Sequence, residues 1–445
     1  MGNDIMTTHA SYRAAVPMAV VALATLVAAS TGLFASSGLT TLVSVSTGGV
    51  PGTGNSGPGN ITADGRYVVF FSTSIMFAPQ DTDMFFDVFV RDLLMGTTTL
   101  ESVSSDGTKA SGSSSWPFIT DDGRYITFQS DARNLVAGGT SGVQHIYVRD
   151  RQAGTTELVS MSTDGVHANR ICDIGNISAD GRYVVFVSYA SNLVPRDTND
   201  SPDVFVRDRL AGTTTRVSVS SQGQQGNGSS FRPRISADGR FVAFVSVATN
   251  LTTPDVNGTV EDIFVRDLQT GTTELVSLST TGIQGNSVST MPSLGSDGRL
   301  LLFISFARNL VADDTNGSWD VFLRDLQTGV TERVSVSTNG EQSNHDSARP
   351  YMSPDGRFVS FDSLASNLVA GDTNGFLDVF RRDRLAGTTE LVSVSSAGQQ
   401  GSGNSGNAAI SADGSRVVFY SSASNLVAGD VNNSLDVFLR EAIVP

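Results

Sequence analysis

Cysteine appears once in the 445 residues, at Cys172, so no disulfide within the chain can brace it. Stability has to come from packing, strand pairing or bound ions. Lysine is as rare: Lys109 is the only one, and arginine carries nearly all the positive charge. After the first 35 residues no long segment repeats its apolar residues with the 3.6-residue period of a helix, which excludes a helical domain. Basic charge is in short supply overall, and a net charge of -15 repels phosphate backbones and excludes a nucleic-acid partner. Catalytic signatures are missing as well. There is no Gly-x-Ser-x-Gly elbow and no glycine-rich phosphate loop ahead of a helix, so the sequence names no catalytic group.

What is present is β-forming. The 45 glycines and the Ser/Thr/Val-rich segments suit short strands joined by tight turns. Asp-Gly followed by an apolar run recurs at Asp64-Gly65, Asp122-Gly123, Asp180-Gly181, Asp238-Gly239, Asp297-Gly298, Asp355-Gly356 and Asp413-Gly414. The interval is about 58 residues throughout, a period that marks a repeat architecture. In the third unit, a short strand a at 176–178 leads through Asp180-Gly181 into strand b at 182–188. A longer loop then reaches strand c at 203–208 (DVFVRD), and Ala211-Gly212 turns it into strand d at 213–220.

Strand b is apolar on both faces, with Tyr183, Val185 and Val187 on one and Val184 and Phe186 on the other, so each sheet must be sandwiched between others. The chain opens its repeats with a strand d at 40–46 (TTLVSVS) and ends them with a strand c at 436–440. The expected fold is therefore all-β: a seven-bladed propeller with four antiparallel strands per blade, whose N-terminal strand closes the last blade.

Residues 1–37 read as a signal peptide or an N-terminal anchor. Arg13 precedes an Ala/Val/Leu run at 14–29, and small residues around Ala35 offer a cleavage site. The remaining 38–445 read as one propeller domain of an extracytoplasmic protein, on a membrane only if the leader is retained.

The units, such as the run from Ile235 to Ser246 followed by Asp262–Asp267, resemble the TolB-like, WD-repeat-like propeller family over residues 40–440. That resemblance implies the fold. Its members include a periplasmic protein that binds a lipoprotein, propellers fused to peptidases, and polysaccharide lyases. The present chain departs from them in its longer b-to-c loops and in lacking an additional domain.

Those loops carry Asp-x-Asn-x-x-x-Asp ahead of strand c. The pattern is Asp197, Asn199, Asp203; Asp314, Asn316, Asp320; Asp372, Asn374, Asp378; and Asp430, Asn432, Asp436. The first blade has Asp81, Asp83, Asp87, and the fourth, with an extra residue, Asp255, Asn257, Asp262. The second has Gly139, Ser141 and His145 instead. Two readings stand side by side. Hard cations such as Ca²⁺ take six to eight oxygens, which alternating Asp and Asn side chains supply in short loops; equally, Asp and Asn cap their own backbone in Asx-turns without any metal. Repetition around the ring favours a structural task over catalysis. The strand-c Arg-Asp pairs, Arg207-Asp208 and Arg324-Asp325, read as inter-blade or turn contacts.

A unique function would show as asymmetry. His145 and His167 fall on one rim with Cys172 near in sequence, read as a degenerate blade with two surface histidines and a buried thiol, against a soft-metal site. The d-to-a loops, such as 222–230, are rich in Gly, Asn, Gln and Ser and share the rim of the b-to-c loops. The functional expectation is a monomeric scaffold binding a protein or carbohydrate ligand across that rim or the central channel. The alternative is a polysaccharide lyase or hydrolase with its site on the same face.

Overall fold

The computed structural model describes residues 38–442, so the leader reading of 1–37 lies outside the described residues. Seven antiparallel four-stranded sheets follow one another along the chain. Blades 1 to 6 each take their strands in sequence order, a-b-c-d from the channel outwards. Blade 7 takes strands a, b and c from Ser405–Ile410, Arg416–Ser421 and Asp436–Glu441, and borrows its strand d, Leu39–Leu42, from the start of the chain. Strand a of each blade lies beside strand a of the next, and that of blade 7 beside that of blade 1, so the circle is closed. Among the described residues no helix is long and apolar enough to cross a membrane.

The reason for the ring is visible in strand b. Val184 and Phe186 pack into a cluster shared with Ile146 and Val148 of the preceding blade, whereas Val185 and Val187 pack with Val242 and Phe244 of the following one. Burying both faces of a sheet in this way leaves no blade stable alone. Within each blade a strand-b phenylalanine stacks on a strand-c aromatic, as Phe186 on Phe205 with centroids 5.9 Å apart, and the same pair recurs in all seven.

Two polar fasteners tie blade to blade. A strand-d threonine hydroxyl donates to a carbonyl of the preceding blade, Thr214 to Met161 at 2.5 Å and Thr273 to Val219 at 2.6 Å. The strand-c arginine also reaches back, as Arg207 to the carbonyl of Ser162 at 3.1 Å. Its neighbour Asp208 instead accepts from Arg182 at 2.7 Å and from the amides of Leu210 and Ala211, fixing the c-to-d turn. The Arg-Asp dipeptide thus combines an inter-blade contact and a turn cap. The borrowed strand obeys the same rule: Thr40 donates to Val394 of blade 6 at 2.6 Å, and buried Arg440 reaches Ser395 at 3.3 Å.

Several boundaries differ from the sequence expectation. Strand a of blade 3 is Cys172–Ile177, longer than 176–178. It contains a register shift between Asp173 and Asn176, and the bulge hides it from an alternating pattern. Strand d is shorter, Thr213–Arg216, because after Arg216 the chain folds in to place Val217 and Ser218 in the interior. The closing strand is likewise Leu39–Leu42 rather than 40–46, with Val43 and Ser44 fully buried behind it. Gly181 of the a-to-b turn has a φ of 73°, and its equivalents in the other blades fall between 70° and 74°, the left-handed region that glycine enters without strain.

Deleting residues 38–46 should expose the edge of strand c in blade 7 and leave Asp436 without the hydroxyl of Ser44, 2.7 Å away. We expect the thermal midpoint to fall by about 5 °C or more. Scanning calorimetry of the truncated chain checks this, and an unchanged midpoint would remove the clasp.

Candidate functional site

The b-to-c loops and the d-to-a turns meet on one rim, and there each blade repeats a small polar cluster. The last aspartate of the motif opens strand c and is fully or almost fully buried at Asp87, Asp203, Asp262, Asp320, Asp378 and Asp436. One carboxylate oxygen accepts from a serine that follows strand d, as Ser218 to Asp203 at 2.6 Å and Ser393 to Asp378 at 2.5 Å. The asparagine tethers the d-to-a turn through its amide, as Asn199 to Gly226 at 3.0 Å, Asn257 to Gly285 at 3.1 Å, Asn316 to Ser343 at 2.9 Å and Asn374 to Gly401 at 3.2 Å. Its oxygen accepts an amide two residues on in an Asx-turn, as at Asn199, Asn316, Asn374 and Asn432.

The second oxygen of the buried aspartate faces a position that the blades fill differently. In blade 1 the ammonium of Lys109 stands 2.8 Å from Asp87, 2.9 Å from Asp83 and 3.6 Å from Asp81. These three carboxylates are the one group of three or more acidic, histidine or cysteine ligand atoms found close together among the described residues, and the lone lysine sits among them. In blade 3 Arg216 contacts Asp197 at 3.1 Å and Asp203 at 3.2 Å, and Gln225 bridges the same pair at 2.9 and 3.0 Å. In blade 5 Arg333 lies 3.2 Å from Asp314 and 3.7 Å from Asp320. In blade 4 the amide of Gln284 donates to Asp255, Asn257 and Asp262 at 3.1, 2.9 and 2.8 Å. In blade 7 Asn432 donates to Asp436 at 2.7 Å.

Blade 6 differs. Leu391 stands where blades 3 and 5 place arginine, and Gln400 donates to the carbonyl of Gly371. Burial pushes Asp87 and Asp378 up to about 6. Hydrogen bonds from Lys109 and Ser102 oppose the shift at Asp87, and the hydroxyl of Ser393 and the nearby amide of Asn374 oppose it at Asp378, while the neighbouring charges of Asp81 and Asp372 add to it.

Blade 2 replaces aspartate with His145, which is the first residue of strand c and fully buried, not a surface loop residue as its sequence position suggested. Nδ1 of His145 lies 3.0 Å from the hydroxyl of Ser160, Nε2 has no hydrogen-bond partner, and the ring stands edge-on to His167 at 6.0 Å. Burial and then the charge of His167 bring His145 down to about 4. Cys172 is buried against Ser188 at 3.2 Å, and burial pushes its thiol up to about 12, an inert thiol rather than a nucleophile.

The channel wall is less symmetric than the rim. In blades 2 to 7 the third residue of strand a has positive φ although none is glycine: Trp116, Ile174, Arg232, Met291, Arg349 and Asn407, between 47° and 56°. Holding such residues there costs about 1 kcal/mol or more each, and the bulge turns six different side chains around the channel mouth. Trp116 is 54% exposed and leans on Phe71 at 5.8 Å, which meets Phe86 at 5.4 Å. Arg349 pairs at 3.0 Å with fully buried Asp362, which also accepts the amide of Asn407 at 3.0 Å. Asp362 occupies a strand-b position that holds Val187, Val245 and Ile304 in blades 3 to 5, and burial pushes it up to about 6. Towards the a-to-b turns a cavity of about 90 Å³ is lined by Asp121, Arg234 and Tyr351 among others. Burial raises Tyr351 to about 12 and lowers Arg234, whose guanidinium donates to the carbonyl of Pro233 at 3.0 Å. Sequence reading missed these channel residues, since strand a carries no alternating pattern; the departure of Asp362 from its repeat column was the available signal.

Neither a family model nor a curated protein matches this chain by sequence. Solved structures are similar to it in fold. An oligogalacturonate lyase in complex with manganese aligns at 13% identity over 92% of this chain and 94% of that one, with a TM-score of 0.57. The β-propeller domain of the Trilobed protease from Pyrococcus furiosus aligns at 10% identity over 88% and 98%, with a TM-score of 0.51. That domain is described as an open velcro, whereas here the N-terminal strand is paired. TolB from Acinetobacter baumannii aligns at 14% identity over 77% and 64%, with a TM-score of 0.41. At these identities the likeness is one of fold.

Two outcomes follow from the rim. Lys109→Met leaves three carboxylates without their counter-ion and should cost about 3–5 kcal/mol at pH 7, read by chemical denaturation. For His145, a native value near 4 lies below the usual 6.5, so the unfolded chain binds the proton more tightly and stability is lost as pH falls from about 6.5 to 4. His145→Gln should flatten that part of the stability profile by roughly 3 kcal/mol.

Proposed function

We propose that this protein is an extracytoplasmic propeller that binds a macromolecular ligand, protein or glycan, across the loop-bearing rim and the mouth of its channel. The repeated clusters serve the scaffold, and the asymmetric channel mouth serves recognition. The observation that carries the reading is Trp116: a half-exposed indole backed by Phe71 and set there by the strand-a bulge that six blades share, where no other blade places an aromatic ring. A rigid aromatic face of this kind suits a sugar ring or an apolar peptide side chain. The leader-like composition of residues 1–37 supports export. Calcium enters as a brace of the rim loops rather than as a reactant.

A second reading, a polysaccharide lyase or hydrolase, draws on Arg234, which has no carboxylate partner among the described residues and lines the cavity with Tyr351. A cation so placed would face an acidic sugar, the class of compound named for the lyase of similar fold. In this reading Arg234→Ala abolishes turnover of acidic oligosaccharides; in the binding reading no turnover occurs with either chain.

Screening the full chain against glycan and peptide arrays identifies a ligand. Trp116→Ala should then weaken it about tenfold or more while the thermal midpoint stays within a degree or two. A ligand that binds Trp116→Ala and wild type equally would overturn this placement of the site.

A further inference from the structure

Six of the seven blades bury an aspartate at the start of strand c, and the repeats allow one cluster to be compared with another. Its outward oxygen meets the ammonium of Lys109 in blade 1, Arg216 with Gln225 in blade 3, Gln284 in blade 4, Asn316 with Arg333 in blade 5, and Asn432 in blade 7. In three of them the partner is a full positive charge. In blade 6 the same oxygen, Oδ2 of Asp378, is fully buried and has no hydrogen-bond partner among the described residues. Leu391 replaces the arginine of strand d, and the neutral amide of Asn374, which donates to Gly401 at 3.2 Å, lies near Asp378 without the close contact that Asn316 and Asn432 make in blades 5 and 7. Asp372, itself buried, adds a second carboxylate close enough to raise Asp378 electrostatically. Two buried carboxylates without a counter-charge are costly; blades 1, 3 and 5 offset this with a cation, and blades 4 and 7 with a close neutral amide at 2.8 and 2.7 Å.

We propose that blade 6 binds a hard divalent cation of the calcium class between Asp372, Asn374 and Asp378, in the position that Lys109, Arg216 and Arg333 fill with their own charge in blades 1, 3 and 5. The side chains offered there are two carboxylates and the amide of Asn374, whose Oδ1 also accepts from the backbone of Phe376 at 3.0 Å, an oxygen set that favours calcium over zinc or copper. The repeat thus solves one electrostatic problem in two ways, with a tethered cation in some blades and a free ion in another. This inference does not depend on the ligand-binding reading of the channel mouth, because the ion would sit under the rim loops and away from Trp116.

The test uses the full chain, stripped with chelator and titrated with Ca²⁺ alone by calorimetry and by thermal melting. A single ion should bind per chain and raise the thermal midpoint by about 2–4 °C. Asp378→Asn should abolish that binding. Because that variant alters a buried group, Leu391→Arg serves as the second arm: it installs the arginine of blades 3 and 5, and should remove calcium binding while the chelator-treated protein melts no lower than wild type. Asp255→Asn in blade 4 should leave the stoichiometry unchanged. Absence of binding to the stripped wild type, or a stoichiometry untouched by both Asp378→Asn and Leu391→Arg, would overturn the proposal.

Discussion

Every sheet in this molecule is apolar on both faces, and that constraint determines the rest. A sheet that must be covered twice cannot end a stack, so the stack has to close, and with no disulfide available the closure is made by strand pairing and packing. The first strand therefore leaves its own neighbourhood in sequence and completes the blade formed by the last three. It carries the same fasteners as every internal strand d: the threonine hydroxyl on the preceding blade, the arginine behind it and a buried serine on the strand-c aspartate. The equivalence of Thr40 with Thr214 and Thr273 shows that the joint is built like the other six interfaces.

Once the ring is closed, the rim becomes seven near-copies of one electrostatic problem. A carboxylate buried at the start of strand c needs a donor for each oxygen, and the serine after strand d supplies one everywhere. The second comes from lysine, arginine or glutamine at the strand-d end or in the d-to-a turn, or from asparagine of the b-to-c loop, and in blade 6 that oxygen has no hydrogen-bond partner among the described residues. Blade 2 removes the charge by installing His145 opposite His167, and the buried imidazole is held neutral. Side chains are free to diverge here because the backbone is fixed by the blade around them. The same freedom operates at the channel mouth, where a bulge in strand a turns Trp116, Arg232 and Arg349 around the opening.

The ring was legible in the sequence because its cause is local and repeated: Asp-Gly at a constant interval, strand b apolar on both faces, and an unmatched strand d at the start. The strand limits were less so. Strand a is broken by a bulge and by prolines such as Pro117 and Pro233, which no period-two pattern accommodates, and strand d gives way early to buried Val217 and Ser218. The rim aspartates were found, but not their partners. Arg216 and Gln225 lie 13 and 22 residues beyond Asp203 in the chain, and their convergence depends on the hairpin between strands c and d. Stacking the repeats column by column does show it, since Lys109, His167, Gln225, Gln284, Gln342 and Gln400 share one bridge position opposite the end of strand d. The channel residues were harder to read for a different reason: apart from Asp362, which stands out in its repeat column, they are brought together only because seven strands a stand in a circle.

The most direct test of this account is amide hydrogen exchange on the intact chain, comparing residues 41–44 with the b strands of all seven blades. The amide of Val43 donates to Val437 at 2.7 Å, and if the borrowed strand is an integral part of blade 7 it should exchange at the rate of the global unfolding seen in the b strands. Exchange of 41–44 many times faster than in the other strands, with the six remaining interfaces still protected, would show that the ring holds without its clasp and would contradict the account.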